Sequence, residues 1–156
     1  MAFRIAIILH LLSMALLAAG GIGGALLLPT LAAAARGEGA RLPGLVAAAA
    51  HLGVIARVGS VLMLPTGAVL LWTMNWVELT MPWMTLKLAF YLATWVVSFT
   101  MATPAELRLA SALSRRANGA DVGAELEATI ARLRLAHALM LVCFVAMVAI
   151  VVVRTR

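Results

Sequence analysis

Long apolar stretches separated by short polar connections dominate the pattern of the chain. They cover residues 5–35, 45–76, 82–102 and 135–153. Each is close to or above the roughly 20 residues that a helix needs to cross a bilayer. The first stretch is longer than the apolar core of a signal peptide, and the short alternating segments typical of a membrane barrel are absent. The pattern predicts an all-α bundle of four transmembrane helices.

The first two connections are short. The first comprises residues 36–41 and is closed by Pro43 and Gly44. The second comprises residues 75–81, and it lies among three tryptophans of the kind that form a belt at the membrane interface: Trp72, Trp76 and Trp83. Short connections predict that consecutive helices are antiparallel neighbours in the bundle.

The third connection is the longest and carries signals of its own. Thr103 and Glu106 have the spacing of a capping box, and Pro104 stands at the first helical position. These residues predict a short cytoplasmic helix over residues 104–116, which stops at Asn118 and Gly119. Asp121 is the predicted cap of the next helix, which continues into the fourth span.

Composition and charge fit a single integral membrane domain over residues 1–156. The chain is 65% hydrophobic and 12% charged, with a formal charge of +6. In a soluble protein this charge would suggest nucleic acid. Here most arginines stand at the ends of apolar stretches, where arginines contact lipid headgroups. The predicted partner is therefore a lipid bilayer, and no nucleic acid is expected. The single cysteine, Cys143, excludes an internal disulfide.

Basic residues also predict the orientation. The first and third connections hold seven arginines, whereas the termini and the second connection hold three. The positive-inside rule therefore places the first and third connections in the cytoplasm. The protein is therefore predicted to cross the bacterial inner membrane four times, with both termini outside.

Five ionisable side chains lie inside the apolar stretches, where they are costly and usually functional. His10 and Lys87 are predicted near the outer leaflet, His51 and His137 near the inner leaflet, and Arg57 nearer mid-depth. Histidines on facing helices can ligate a haem iron, so all three histidines are candidate metal ligands. No acidic residue lies within a predicted span, so an anionic ligand is the expected counter-charge for the cations.

One cavity is predicted to collect His10, Arg57, Lys87 and Tyr91, because antiparallel packing brings the ends of these helices together. Such a cavity favours a porphyrin carboxylate or a quinone oxygen. The competing interpretation makes each histidine a hydrogen-bonded packing residue and lets Lys87 extend to the headgroups. Glycines of the first and second spans are predicted to allow close helix contact: Gly20, Gly21, Gly23, Gly24, Gly53, Gly59 and Gly67.

Three segments carry a resemblance to known families. They are Leu9 with His10, residues 57–67 and residues 82–88. The chain resembles a family of small bacterial integral membrane proteins of unknown function and, more distantly, the HemJ-type protoporphyrinogen oxidases and the CopD-like membrane proteins. The HemJ resemblance implies haem b, with His10, Arg57 and Lys87 as site residues. Thr85 stands where the HemJ pattern has a histidine.

Two functions follow from these patterns. One is a haem b-binding membrane oxidoreductase acting on a porphyrin or a quinone. The other is a non-enzymatic membrane subunit, assembly factor or small transporter, in a homo-oligomer or a larger membrane complex. The sequence lacks a CxxCH motif, a dinucleotide fingerprint, a P-loop and a zinc pattern. A Soret absorption band separates the two hypotheses.

Overall fold

The computed structural model describes residues 2–36 and 42–154, and this part of the chain contains helices and turns without a β-strand. Its elements in chain order are α1 (Ala2–Arg36), α2 (Leu42–Thr73), a 3₁₀ turn (Val77–Thr80), α3 (Pro82–Val97), a π turn (Ser98–Ala102), α4 (Thr103–Ala117) and α5 (Gly123–Arg154). Within these described ranges, four helices are long and apolar enough to cross a membrane. The predicted all-α four-helix bundle is confirmed. Most of the first connection, including Arg41, lies outside the described residues.

Antiparallel packing gives the bundle two distinct ends. The terminal end holds the start of α1, the 3₁₀ turn and the end of α5. The arginine-rich end holds the end of α1, the start of α2 and the junction of α4 with α5. Each spanning helix has only 11–22% of its most apolar window buried inside the bundle, which leaves broad apolar surfaces for lipid.

α3, the π turn and α4 form one continuous helix over Pro82–Ala117, so the predicted start of a separate helix at Pro104 is wrong. Ala102, at the position before α4, has helical backbone angles, and no side chain caps the segment. The capping-box spacing of Thr103 and Glu106 was misleading because the π turn absorbs the proline without ending the helix. The Thr103 N–H bonds to the Ser98 carbonyl, five residues back.

The proline frees a carbonyl that another helix satisfies. Pro104 has no N–H, so the carbonyl of Thr100, four residues earlier, loses its normal helical donor. Arg132 of α5 donates from Nη2 to that carbonyl over 3.2 Å. This bond joins α5 to the irregular turn and lets the proline stand inside a long helix.

The end of α4 and the start of α5 follow the sequence prediction. Gly119 has a φ of +85°, and the N–H groups of Gly119 and Ala120 bond back to Arg116 and Arg115 in a Schellman pattern. Asp121 accepts a hydrogen bond from the Gly123 N–H over 3.2 Å. α5 then continues through the predicted fourth span to Arg154.

The arginine-rich end holds the denser core. Its buried residues come from α1, α2, α4, the α4–α5 junction and α5: Leu28, Leu31, Ala32, Leu42, Ala105, Leu109, Ala112, Val122, Leu126, Ile130 and Leu133. Arg116 donates from Nη1 to the Ala35 carbonyl over 3.2 Å and so caps the last turn of α1. Arg115 pairs with Glu125 at the surface. These arginines therefore tie helices together.

Candidate functional site: two cavities in one cleft

The first cavity lies at the terminal end and has a volume of about 370 Å³. We call it the terminal-end cavity. His10 from α1, Lys87 and Tyr91 from α3, and Met147 from α5 line it, together with residues of α2 and the 3₁₀ turn. A volume of this size lies within the range of roughly 300–1,000 Å³ that small-molecule sites occupy.

The His10 imidazole is held in one orientation by a chain of hydrogen bonds. Its Nδ1 lies 3.0 Å from Thr66 Oγ1, and the Thr66 hydroxyl donates to the Leu62 carbonyl over 2.7 Å. Because that hydroxyl proton is already donated, we assign the imidazole proton to Nδ1, which leaves the Nε2 lone pair free to accept. Gly67 passes close to the ring, since a Cβ there would lie 3.4 Å from His10 Cε1.

The second cavity lies between α1, α2, the α3–α4 helix and α5, next to the π turn. We call it the ion-pair cavity, and its volume is about 60 Å³. Arg57 Nη1 lies 2.7 Å from Glu106 Oε2 and 3.4 Å from Thr103 Oγ1. The Arg57 and Glu106 side chains are 28% and 16% exposed, so the pair is largely removed from the surface.

His137 of α5 also lines the ion-pair cavity. Its Nδ1 donates to the Leu133 carbonyl over 2.9 Å, which leaves Nε2 as the accepting atom. Nε2 lies against Gly24 of α1, where a Cβ would come within 2.6 Å of it. The glycine of α1 therefore makes room for a histidine of α5.

Tyr91 stands at the boundary between the two cavities. Its hydroxyl donates to the Ser60 carbonyl over 2.5 Å and accepts a hydrogen bond from Trp95 Nε1 over 2.9 Å. Tyr91 lines the terminal-end cavity, whereas Ser60 and Trp95 line the ion-pair cavity. This hydrogen-bonded group, which we call the Tyr91 partition, lies between the two spaces and bridges α2 to α3. Met147 of α5 lines both cavities and lies at the same boundary.

The structure brings together some of the predicted site residues and separates others. His10, Lys87 and Tyr91 share the terminal-end cavity, as the sequence predicts. Arg57 does not join them, and the prediction of one cavity for Arg57 and Lys87 is wrong, because Arg57 lines the ion-pair cavity instead. The expectation that an anionic ligand supplies the counter-charge is also wrong for Arg57. The continuous helix carries Glu106 alongside α2, where Arg57 pairs with it.

The three histidines do not gather around one point. His51 is exposed on α2, where its Nδ1 bonds to the Ala47 carbonyl over 2.7 Å, and it lines neither cavity. His10 and His137 line different cavities. Among the described residues, no three histidine, cysteine or acidic side chains cluster in a way that could hold a metal ion. A metal site in this bundle would therefore use one histidine with other ligands.

Sequence reasoning missed three side chains of the ion-pair cavity. The sequence pattern assigns Glu106 to a helix cap, while Ser60 and Trp95 carry no signal of their own. One pattern does connect them to the site: Trp95, Phe99 and Ala102 follow at helical spacing toward Glu106, and all four line the cavity. A helix extended through Pro104 would have placed Glu106 on this face.

No protein family, curated protein or solved structure matches the chain at a significant level.

Proposed function

We propose that the protein binds haem b in the terminal-end cavity and acts there as a membrane oxidoreductase on a porphyrin or a quinone. The orientation of the His10 imidazole carries the proposal. Metal-ligating histidines typically donate their second ring N–H to a fixed acceptor, which sets the tautomer and the ring plane. Thr66 provides that acceptor, and the opposite nitrogen stays available to iron.

Other residues that line the terminal-end cavity support the proposal. Lys87 brings an ammonium group to the lining, and such a group pairs with propionate carboxylates. Met63 and Met147 bring thioether sulfurs, which are known axial ligands of haem iron. The other two histidines line different surfaces, so His10 would be the one imidazole ligand. Haem supplies one-electron transfer, while the protein sets its orientation and surroundings.

The absorption spectrum of the purified protein tests the proposal. We expect a Soret band in the wild type, its loss or displacement in His10→Ala, and an unchanged band in His51→Ala. The His51 variant is the matched control because its ring is exposed outside both cavities. A wild type without a Soret band, after expression with sufficient haem, would overturn the proposal and favour a non-enzymatic membrane subunit.

We propose further that the arginine-rich end faces the cytoplasm of a bacterial cell, with the terminal end outside. The asymmetry of arginines supports this orientation through the positive-inside rule. Reporter fusions at Asn118 and after Arg156 test it. The Asn118 fusion should report the cytoplasm and the C-terminal fusion the outside, and the reverse pattern would overturn the orientation.

A further inference from the structure

The wall of the ion-pair cavity is mainly apolar, and it carries two charged groups and several polar ones. Arg57 and Glu106 line it together with Ser60, Ser98 and His137. Its volume of about 60 Å³ is enough for a few waters, since one water needs roughly 10–15 Å³ measured in this way. A void of this size next to a guanidinium and a carboxylate meets both conditions for bound water, which are room and polar partners.

Two glycines show that the surrounding helices are shaped around polar groups. A Cβ on Gly53 would lie 2.6 Å from Glu106 Oε1, and a Cβ on Gly24 would lie 2.6 Å from His137 Nε2. Neither glycine lets two helix backbones touch. Each instead gives space to a polar side chain of another helix, so these groups are fixed features of the packing.

The position of the ion pair along the helix places it near the edge of the membrane. Glu106 is 24 residues from Pro82, or about 36 Å at 1.5 Å per residue. The hydrocarbon core is only about 30 Å thick, and tryptophans mark its other boundary near Pro82. Glu106 therefore lies close to the aqueous phase at the arginine-rich end, although its side chain is mostly buried.

The opposite side of the ion-pair cavity is closed by the Tyr91 partition. The Tyr91 hydroxyl is the one group of this partition that can both give and take a proton. It now donates to the Ser60 carbonyl, which faces the ion-pair cavity, while its ring lines the terminal-end cavity. That second cavity extends to Trp76 and Glu78 at the terminal end.

We propose that the ion-pair cavity is a water-filled proton inlet, leading from the aqueous phase at the arginine-rich end to Tyr91, which delivers protons to the terminal-end cavity. Glu106 takes a proton from a hydronium ion of the aqueous phase, releases its hydrogen bond from Arg57 and passes the proton to the cavity water. When the Tyr91 hydroxyl rotates, it gives its own proton to an acceptor in the terminal-end cavity and takes the proton that the cavity water holds, so Glu106, the water and the tyrosine return to their starting states. No net charge stays on the tyrosine. The inlet serves any proton-accepting ligand, so it does not depend on haem.

Accessibility of introduced cysteines tests the inlet. In a Cys143→Ser background, Ser98→Cys stands in the ion-pair cavity, whereas Val96→Cys stands on a residue that is 60% exposed and lines neither cavity. A charged, membrane-impermeant thiol reagent should label Ser98→Cys only in vesicles that present the arginine-rich end, and should not label Val96→Cys. Absence of labelling at Ser98→Cys from both sides would overturn the inlet.

Proton leakage through liposomes tests the partition. Tyr91→Ala joins the two cavities and should raise passive proton permeability several-fold, as measured with an entrapped pH dye and potassium–valinomycin. Trp83→Ala, which also enlarges the terminal-end cavity, should leave the liposomes tight. Adding Glu106→Gln to Tyr91→Ala should reverse the leak. Tight Tyr91→Ala liposomes, with the variant correctly inserted, would overturn the proton path whether or not the wild type shows a Soret band.

Discussion

α2 makes two very different interfaces on its two sides. Toward α1 the contact is made through glycines: a Cβ on Gly59 would lie 2.5 Å from the backbone nitrogen of Leu17, and one on Gly20 would lie 2.5 Å from the Leu52 carbonyl oxygen. Here two backbones touch with no space between them. Such contact gains dispersion energy over many atoms and holds the pair rigidly.

Toward α3 and α4, the same helix is joined by polar links across open space. The Arg57–Glu106 pair and the Tyr91–Ser60 bond cross a cleft that contains both cavities. An interface of this kind leaves room for water or a ligand, and its bonds can exchange partners. The contrast indicates that α1 and α2 form the fixed frame, while the cleft between α2 and the α3–α4 helix contains the two cavities.

We expect the largest loss of stability from a substitution that adds a side chain to the α1–α2 contact. Gly59→Ala forces a methyl group against backbone atoms that cannot move aside, which should destabilise the protein by about 3 kcal/mol, at the upper end of overpacking costs. Gly21→Ala is the matched control, because a Cβ there meets nothing within 4 Å. It should be neutral or stabilise the helix by up to about 1 kcal/mol. Unfolding in detergent measures both, and equal stabilities would contradict the tight interface.

Breaking the Arg57–Glu106 ion pair should lower the free energy of unfolding by less than adding a side chain at Gly59. Glu106→Gln leaves the Arg57 guanidinium without its charged partner, and we expect a loss of about 2 kcal/mol, as for hydrogen bonds to charged groups. Glu127→Gln, at an exposed position of α5, should change the free energy of unfolding by less than about 0.5 kcal/mol. Similar values for the two variants would show that the pair does not hold the cleft together.

A substitution at Gly53 should cause a smaller loss of stability than the two described above. A Cβ there would meet the flexible end of a side chain and not a backbone. Gly53→Ala should cost about 1 kcal/mol as the Glu106 carboxylate moves away from the methyl group. In a Glu106→Ala background the cost should vanish, and a double-mutant cycle would report that coupling. A cost that is independent of residue 106 would instead place the strain in the α2 backbone.

We expect the smallest change in the free energy of unfolding from a substitution at Thr103. A helix cap replaced by alanine loses about 1 kcal/mol, whereas Thr103 lies inside a continuous helix and has only a long 3.4 Å contact with Arg57. We therefore expect Thr103→Ala to stay within about 0.5 kcal/mol of the wild type in chemical denaturation. A full cap-sized loss would support a helix that begins at Pro104.

The sequence predicts the parts of this structure that depend on local patterns. Apolar length gives the four spans, Gly119 and Asp121 give the α4–α5 junction, and the antiparallel order brings His10 to Lys87. The ion pair escapes such reasoning because it depends on whether a helix continues through Pro104. Local signals favour a cap at that point, and they contain no information about Arg132, the distant residue that donates to the carbonyl which the proline leaves open.

The π turn at Ser98–Ala102 also determines how a change in chain length would affect the position of Glu106. A π turn contains one residue more than an α-helical turn, so it takes up an extra residue without rotating the helix that follows it. Deleting a single residue there would restore a regular helix and leave Glu106 facing Arg57, whereas deleting a residue elsewhere between Tyr91 and Glu106 would turn the carboxylate by about 100°. The turn therefore makes the meeting of acid and base across the cleft tolerant of a one-residue change in length at this one place.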